Sequence, residues 1–117
     1  MNWAYEKIRE AIKPILLRNG FAKLEEEDHP QAFGSCYSTY ANDKERIRLM
    51  WDGKEQWFVL ESTQTTSMTF EAGWAAILLQ FYKPGKDGPE VVDEIAEDLR
   101  AALVTYLGEE PRSSESA

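Results

Sequence analysis

The sequence predicts one α+β domain, in which an N-terminal helix, an antiparallel meander of four or five strands and a C-terminal helix follow each other. Apolar residues recur at helical spacing near both ends of the chain, whereas the segments between alternate apolar and polar residues as strands do. A length of 117 residues suits a single domain, and 43% hydrophobic residues supply a core. We expect residues 1–108 to form this domain and residues 109–117 to be a disordered acidic tail.

The first helix is predicted over residues 3–19, because Ile12 and Ile15 belong to an apolar stripe with helical spacing. Asn2 precedes the stripe and is a suitable N-cap. Pro14 predicts a kink, or the beginning of a second helical stretch, because proline removes one hydrogen bond of the helix.

The last helix is predicted to begin at Pro89, where the missing N–H of proline costs nothing, and to end before Gly108. Its apolar stripe should pack against the sheet together with the first helix. The residues that we expect to be buried in the core are Ile12, Ile15, Leu49, Trp51, Ile95, Leu99 and Leu103.

The middle of the chain contains three predicted strands, over residues 33–40, 46–51 and 56–61, which are rich in β-forming residues. Asp52-Gly53 indicates a tight hairpin between the last two. With a two-residue loop there, Trp57 lies on the outward face, whereas a three-residue loop turns it inward. Either loop keeps the same inward row on the preceding strand: Ile47, Leu49 and Trp51. We expect both helices to cover the face that carries this row.

The two-residue loop at Asp52-Gly53 would pair Trp51 with Lys54. A similar two-residue turn at Asn42-Asp43 is the expected connection of the preceding hairpin, and it would place Cys36 opposite Leu49.

Three further segments have weaker patterns. Residues 21–25 are a short strand candidate, followed by a charged loop over residues 25–30. Residues 74–82 are apolar almost throughout, which favours a central strand buried on both faces. A helix remains the alternative for that stretch, because Thr69 is a fair helix cap.

The charge balance excludes some classes of partner. The net charge is −8, whereas nucleic-acid binders normally carry a basic surface and anionic membrane surfaces attract basic segments. An acidic surface would suit a basic protein partner. Cys36 is the single cysteine, so an internal disulfide is excluded and a reduced, cytoplasmic setting is expected.

Catalytic residues are not indicated by any motif. His29 is the one histidine and lies beside Pro30 in a charged segment, which favours an exposed loop residue. Cys36 lies in a predicted strand without the cationic neighbour that activates a thiol, which favours a small buried residue. The spacing also shows no metal site and no cofactor-binding motif, so we expect neither a metal nor a cofactor.

One constellation indicates binding. If both hairpin turns have two residues, Tyr37, Arg48 and Trp57 form a row across three strands, on the face opposite the inward row. An arginine between aromatic rings is a stable cross-strand arrangement and also a common binding surface. The candidate binding face comprises Phe33, Tyr37, Arg46, Arg48, Met50 and Trp57.

The hypothesis favoured by these patterns is a small non-enzymatic protein-binding domain: an adaptor, a chaperone-like protein, or an inhibitor or immunity-like protein. A small-ligand-binding domain is the first alternative, with a pocket near the loop from Ser62 to Thr69. An enzyme that uses Cys36 or His29 is the weakest alternative. Because the outward face is strongly apolar, we also expect a homodimer whose interface includes Trp57.

Overall fold

The structure is a computed structural model that describes residues 2–64 and 73–109. Within these residues the strands form one antiparallel sheet in the order β1-β2-β3-β4-β5. The predicted α+β fold is therefore confirmed, with a helix at each end of a five-stranded meander. The elements are α1 (Trp3–Arg18), β1 (Ala22–His29), β2 (Ser35–Ala41), β3 (Glu45–Asp52), β4 (Trp57–Gln64), β5 (Ala75–Phe81) and α2 (Pro89–Tyr106).

The helix ends follow the predicted capping residues. The Asn2 side chain accepts a hydrogen bond of 2.6 Å from the backbone N–H of Tyr5, which caps α1. The helix continues through Pro14, so no second helical stretch begins there. Pro89 lies in the first turn of α2, and Gly108 follows that helix with a φ of +75°, a left-handed conformation that glycine adopts without strain. No helix in the described part of the chain has the length and apolar character needed to cross a membrane.

Both helices pack on the sheet face that carries Ile47, Leu49 and Trp51, as predicted. We call it the helix face. The two helices also contact each other, since Lys7 Nζ of α1 lies 3.0 Å from a carboxylate oxygen of Asp93 in α2. Every residue predicted for the core is buried: Ile12, Ile15, Leu49, Trp51, Ile95, Leu99 and Leu103.

The register of the β3–β4 hairpin differs from both predictions. Trp51 pairs with Phe58 and not with Lys54, because four residues separate the paired ends Asp52 and Trp57. The Asp52 carboxylate accepts hydrogen bonds of 3.1 Å from the backbone N–H groups of the second and third residues after it, which stabilises this longer loop. The two-residue prediction nevertheless assigned the faces correctly, because side chains alternate with a period of two and the shift is even.

The register of the β2–β3 hairpin also differs from the prediction, by two residues. Asn42 accepts hydrogen bonds from the N–H groups of Lys44 and Glu45, at 2.8 and 2.9 Å, and opens a four-residue loop between the paired residues Ala41 and Arg46. Cys36 consequently lies opposite Trp51 and not opposite Leu49 as predicted.

Both edge strands also differ from the predictions. The charged stretch predicted as a loop is the second half of β1, which pairs with β2 as far as His29. Residues 74–82 contain the predicted strand, but β5 is an edge strand and not a central one. None of its residues is fully buried.

Candidate functional site

The sheet face opposite the helices is the candidate functional site, and we call it the open face. Val59 shows the separation of the two faces, because it is buried and yet does not belong to the core cluster beneath the helices. The residues that the strand register places on the open face include Tyr37, Thr39, Arg46, Arg48, Met50, Trp57, Val59, Glu61, Leu79 and Phe81.

Arg48 occupies the middle of the open face, between two aromatic rings. Its guanidinium carbon lies 5.4 Å from the ring centroid of Tyr37 and 4.1 Å from that of Trp74, distances typical of cation–π contacts. The predicted arginine between aromatic rings therefore exists, but Trp74 supplies the second ring. Trp57 is opposite Asp52 in the ladder, so the predicted row of Tyr37, Arg48 and Trp57 does not form.

Arg48 is also paired with Glu61, its direct neighbour on β4. The arginine Nε donates a hydrogen bond of 2.6 Å to Glu61 Oε1, and only 8% of Glu61 is exposed. Removing a carboxylate from water is unfavourable unless it is paired, and this ion pair satisfies that requirement. The centre of the open face is thus a stack in which the charges of Arg48 and Glu61 offset each other.

The β4–β5 side of the open face is apolar. The rings of Trp57 and Phe81 meet edge to face, with centroids 5.6 Å apart. Phe81 is 64% exposed although it is one of the largest apolar side chains on the sheet. Leu79 and Met50 lie beside this pair and are partly exposed. These side chains form a continuous apolar zone from β3 to the edge of the sheet.

The β1 side of the open face is acidic. Glu25 and Glu27 pair with Thr39 and Tyr37 of β2, and both are exposed. The His29 ring stacks on Tyr37 with centroids 6.1 Å apart, and its Nε2 lies 3.4 Å from Glu27 Oε1. His29 is exposed as predicted, but it is the last residue of β1 and not part of a loop.

Phe33 lies apart from the rest of the predicted binding face. It follows β1 in a left-handed conformation with a φ of 59°, and its side chain is 68% exposed. It lines a cleft of about 440 Å³ whose other walls include Trp3, Trp51 and Tyr82, at one end of the sheet. The predicted face is therefore divided between this cleft and the open face, where Tyr37, Arg46, Arg48, Met50 and Trp57 lie.

Cys36 has the properties of a core residue and not of a nucleophile. It is fully buried on the helix face, and burial raises the pKa of its thiol to about 12. A thiol with such a pKa is almost entirely protonated near neutral pH, whereas the thiolate is the reactive form. Among the described residues, no group of His, Cys, Asp and Glu side chains is arranged to hold a metal ion.

A polar network on the helix face was not predicted. The Glu26 carboxylate accepts hydrogen bonds of 2.7 Å from Ser38 Oγ and 2.6 Å from Arg9 Nη1, and the Ser38 hydroxyl contacts the Tyr5 hydroxyl at 2.6 Å. Partial burial alone would raise the pKa of Glu26, but these hydrogen bonds and that of Lys23 outweigh it and hold the pKa at about 2. The network joins α1, β1 and β2.

A cleft beside α2 adjoins the beginning of the loop near which a small-ligand pocket was predicted. Its volume is about 530 Å³. Residues 65–69 of the predicted loop lie outside the described residues, whereas Ser62 lines the cleft. The lining residues are Ser62, Ala75, Ala76, Ile77, Ala101, Ala102, Thr105 and Tyr106.

Comparison with known proteins identifies no relative of this chain. No family model matches it, and neither the curated proteins nor the solved structures contain a match. The function is therefore inferred from the geometry and charge of the open face and of the two clefts just described.

Proposed function

We propose that this chain is a non-enzymatic protein-binding domain, of an adaptor, chaperone-like, or inhibitor or immunity-like kind, and that its contact surface is the open face. The observation that carries the proposal is the apolar zone around Trp57 and Phe81, on the face opposite to both described helices. Soluble proteins rarely expose a contiguous apolar patch of this kind unless it binds something.

The charge distribution favours a basic partner. The apolar zone is bordered across the face by the exposed carboxylates of Glu25 and Glu27, and the whole chain carries a net charge of −8. Opposite charges at the rim of an interface speed association and select the partner, while the apolar centre supplies most of the affinity. A partner that presents an apolar patch flanked by Lys or Arg would match both features. We expect neither a nucleic acid nor a membrane as a partner.

The central stack is suited to recognition because it is already ordered. Arg48 is held by Tyr37, Trp74 and Glu61 in the free protein, so binding need not immobilise it. Binding surfaces that are ordered in advance lose less side-chain entropy on association. Tyrosine, tryptophan and arginine are also the residues most often found at the energetic centres of interfaces.

The proposal is tested by affinity capture from the native cell extract with the wild type, Trp57→Glu and Leu17→Glu. The two variants place a carboxylate on exposed or partly exposed apolar residues, but Leu17 lies on α1, away from the open face. We expect a protein that the wild type and Leu17→Glu retain and Trp57→Glu loses. If the two variants retain the same proteins equally, the open face is not the contact surface.

We also propose that the chain is a homodimer whose interface includes Trp57. A second copy would cover the apolar zone, and a two-fold axis is the commonest symmetry of soluble oligomers. A cytoplasmic setting is part of the same proposal, because Cys36 is a buried free thiol and the chain has no second cysteine to pair with it.

A small-ligand-binding domain is the second candidate function, favoured by the cleft beside α2. Its volume of about 530 Å³ lies in the range of known ligand sites, and most of its lining is apolar. A thermal-shift screen against metabolites tests it, because a ligand that binds the folded state alone raises the melting temperature. Replacing Ala102 by Trp would fill part of the cleft, so a ligand bound there should lose its effect in this variant.

A further inference from the structure

The two edge strands, β1 and β5, differ in how strongly their sequences discourage pairing with a further strand. β1 carries four consecutive acidic residues in the sequence AKLEEEDH, which discourages pairing with another strand. β5 has the sequence AAILLQF and carries no charge. An uncharged, apolar edge strand normally attracts another strand unless something covers it. Within the described residues, β5 pairs with β4 only.

No other strand of the described residues pairs with the hydrogen-bonding groups along the outer side of β5. The N–H of Tyr82, directly after β5, donates a hydrogen bond of 3.0 Å to the carbonyl of Gln56, directly before β4. Because N–H directions alternate along a strand, the N–H and C=O groups of Leu79 and Phe81 point away from β4. Ile77 interrupts the ladder as a bulge, so the regular unpaired stretch runs from residue 78 to 81.

We propose that a second copy of this chain pairs with this edge, β5 against β5 in antiparallel orientation, about a two-fold axis at Gln80. In this register Leu79 of one copy faces Phe81 of the other, and the axis relates the same pair on its other side. The outward N–H and C=O groups of these residues then meet in two hydrogen-bonded pairs, which is the pattern that an antiparallel ladder requires. This arrangement rests on the homodimer proposed above but places the contact along the β5 edge, where Trp57 takes part only through its ring contact with Phe81.

The side chains favour this occupant over an unrelated strand. Leu79 and Phe81 lie on the open face, so pairing unites the apolar zones of both copies into one surface and buries part of Phe81. Each copy carries a net charge of −8, and the strand through which they meet is uncharged. Pairing of two β1 edges would place Glu and Asp residues against each other, which is unfavourable.

Amide hydrogen exchange of the full-length chain, followed by NMR at several protein concentrations, tests the register. We expect the amides of Leu79 and Phe81 to become protected as the concentration rises, in step with a mass approaching twice 13.4 kDa by sedimentation equilibrium. The amides of Gln80 and Tyr82 should be protected at every concentration, because they already face β4. A chain that remains monomeric at all concentrations overturns the proposal.

Two variants separate edge pairing from contact between open faces. Gln80→Glu places two carboxylates next to the axis and should weaken the dimer about tenfold or more, whereas the matched control Gln31→Glu, in the β1–β2 loop, should associate as the wild type does. A dimer that Trp57→Glu dissociates but Gln80→Glu does not, with Leu79 and Phe81 amides still exchanging freely, forms through the open faces instead. That result would overturn the edge register, and capture of a different protein by the wild type but not by Trp57→Glu remains the separate test of the proposed binding function.

Discussion

The two faces of the sheet are made by the same strands, yet they differ in almost every physical property. On the helix face Ile47, Leu49 and Leu60 are completely buried beneath α1 and α2. On the open face Trp57 is partly exposed and Phe81 mostly so. Burial is what stabilises a fold, whereas exposed apolar area is what binds a partner. We therefore expect substitutions on the helix face to lower the free energy of unfolding more than substitutions on the open face.

Leu99→Ala should produce the largest loss of stability. Leu99 is fully buried where α2 packs on the helix face, so truncation removes apolar contacts and leaves a cavity. We expect a loss of about 2–5 kcal/mol in the free energy of unfolding, measured by denaturant melts. A loss below about 0.5 kcal/mol, the range of surface substitutions, would show that the packing at this site differs from the structure.

Glu26→Gln should have an intermediate effect that depends on pH. The pKa of Glu26 is about 2 in the folded chain and 4.5 when unperturbed, so its stabilisation is present above about pH 4.5 and is lost as the pH falls towards 2. We expect the variant to lose about 1–3 kcal/mol near neutral pH, because the neutral amide accepts weaker hydrogen bonds from Arg9 and Ser38 than the carboxylate does.

The same variant should lose little stability relative to the wild type at the acidic end of that range, where the wild-type carboxyl also becomes neutral. Glu27→Gln, one residue further along on the open face, is the matched control; its exposed carboxylate lies outside the network, so this variant should stay within about 0.5 kcal/mol of the wild type near neutral pH. If the difference in the free energy of unfolding between Glu26→Gln and the wild type is constant from neutral pH to about pH 2, the charge of Glu26 does not contribute to stability.

Arg48→Lys should cause the smallest loss of stability of the three substitutions, because Arg48 lies on the open face and not in the buried core. Lysine keeps the charge but loses the planar group that stacks between Tyr37 and Trp74. We expect a loss of about 0.5–1.5 kcal/mol in the same melts. Arg46→Lys, on the same strand and face but exposed, should remain within about 0.5 kcal/mol of the wild type. Equal effects of the two variants would mean that the stack adds no stability.

The assignment of residues to faces could be predicted from the sequence because it depends on local alternation. Ile47, Leu49 and Trp51 are apolar at every second position, and that period alone places them on one side. The strand register depends instead on loop length, which side chains outside the strands decide. Asn42 and Asp52 each bond to the backbone of the residues that follow, and both open loops of four residues.

A repeated pattern was the available signal for these loops. Both have an Asn or Asp followed two residues later by Lys-Glu, in Asn42-Asp43-Lys44-Glu45 and in Asp52-Gly53-Lys54-Glu55. The Asp52-Gly53 pair in the second sequence is also typical of a two-residue turn, so it predicts a shorter loop than the one that forms.

The polar network and the central stack lay beyond sequence reasoning for a different reason. The partners of Glu26 come from α1 and β2. The second ring at Arg48 belongs to Trp74, which is distant from Arg48 in the sequence. Neither juxtaposition leaves a local period in the chain. The strand predicted over residues 21–25 is confirmed, but the prediction of a loop over residues 25–30 is wrong. The second half of β1 is polar at every position, and its pairing with β2 is what makes it a strand.

The order of the elements along the chain determines how the protein is exposed while it is being made. The meander is complete once β5 has been synthesised, but α2 follows it and provides part of the cover of the helix face. Until α2 leaves the ribosome, buried residues such as Phe58 and Leu60 lack this cover, and such surfaces favour aggregation. A nascent chain that has released β5 from the ribosome but not yet α2 would therefore expose apolar side chains on both faces of its sheet.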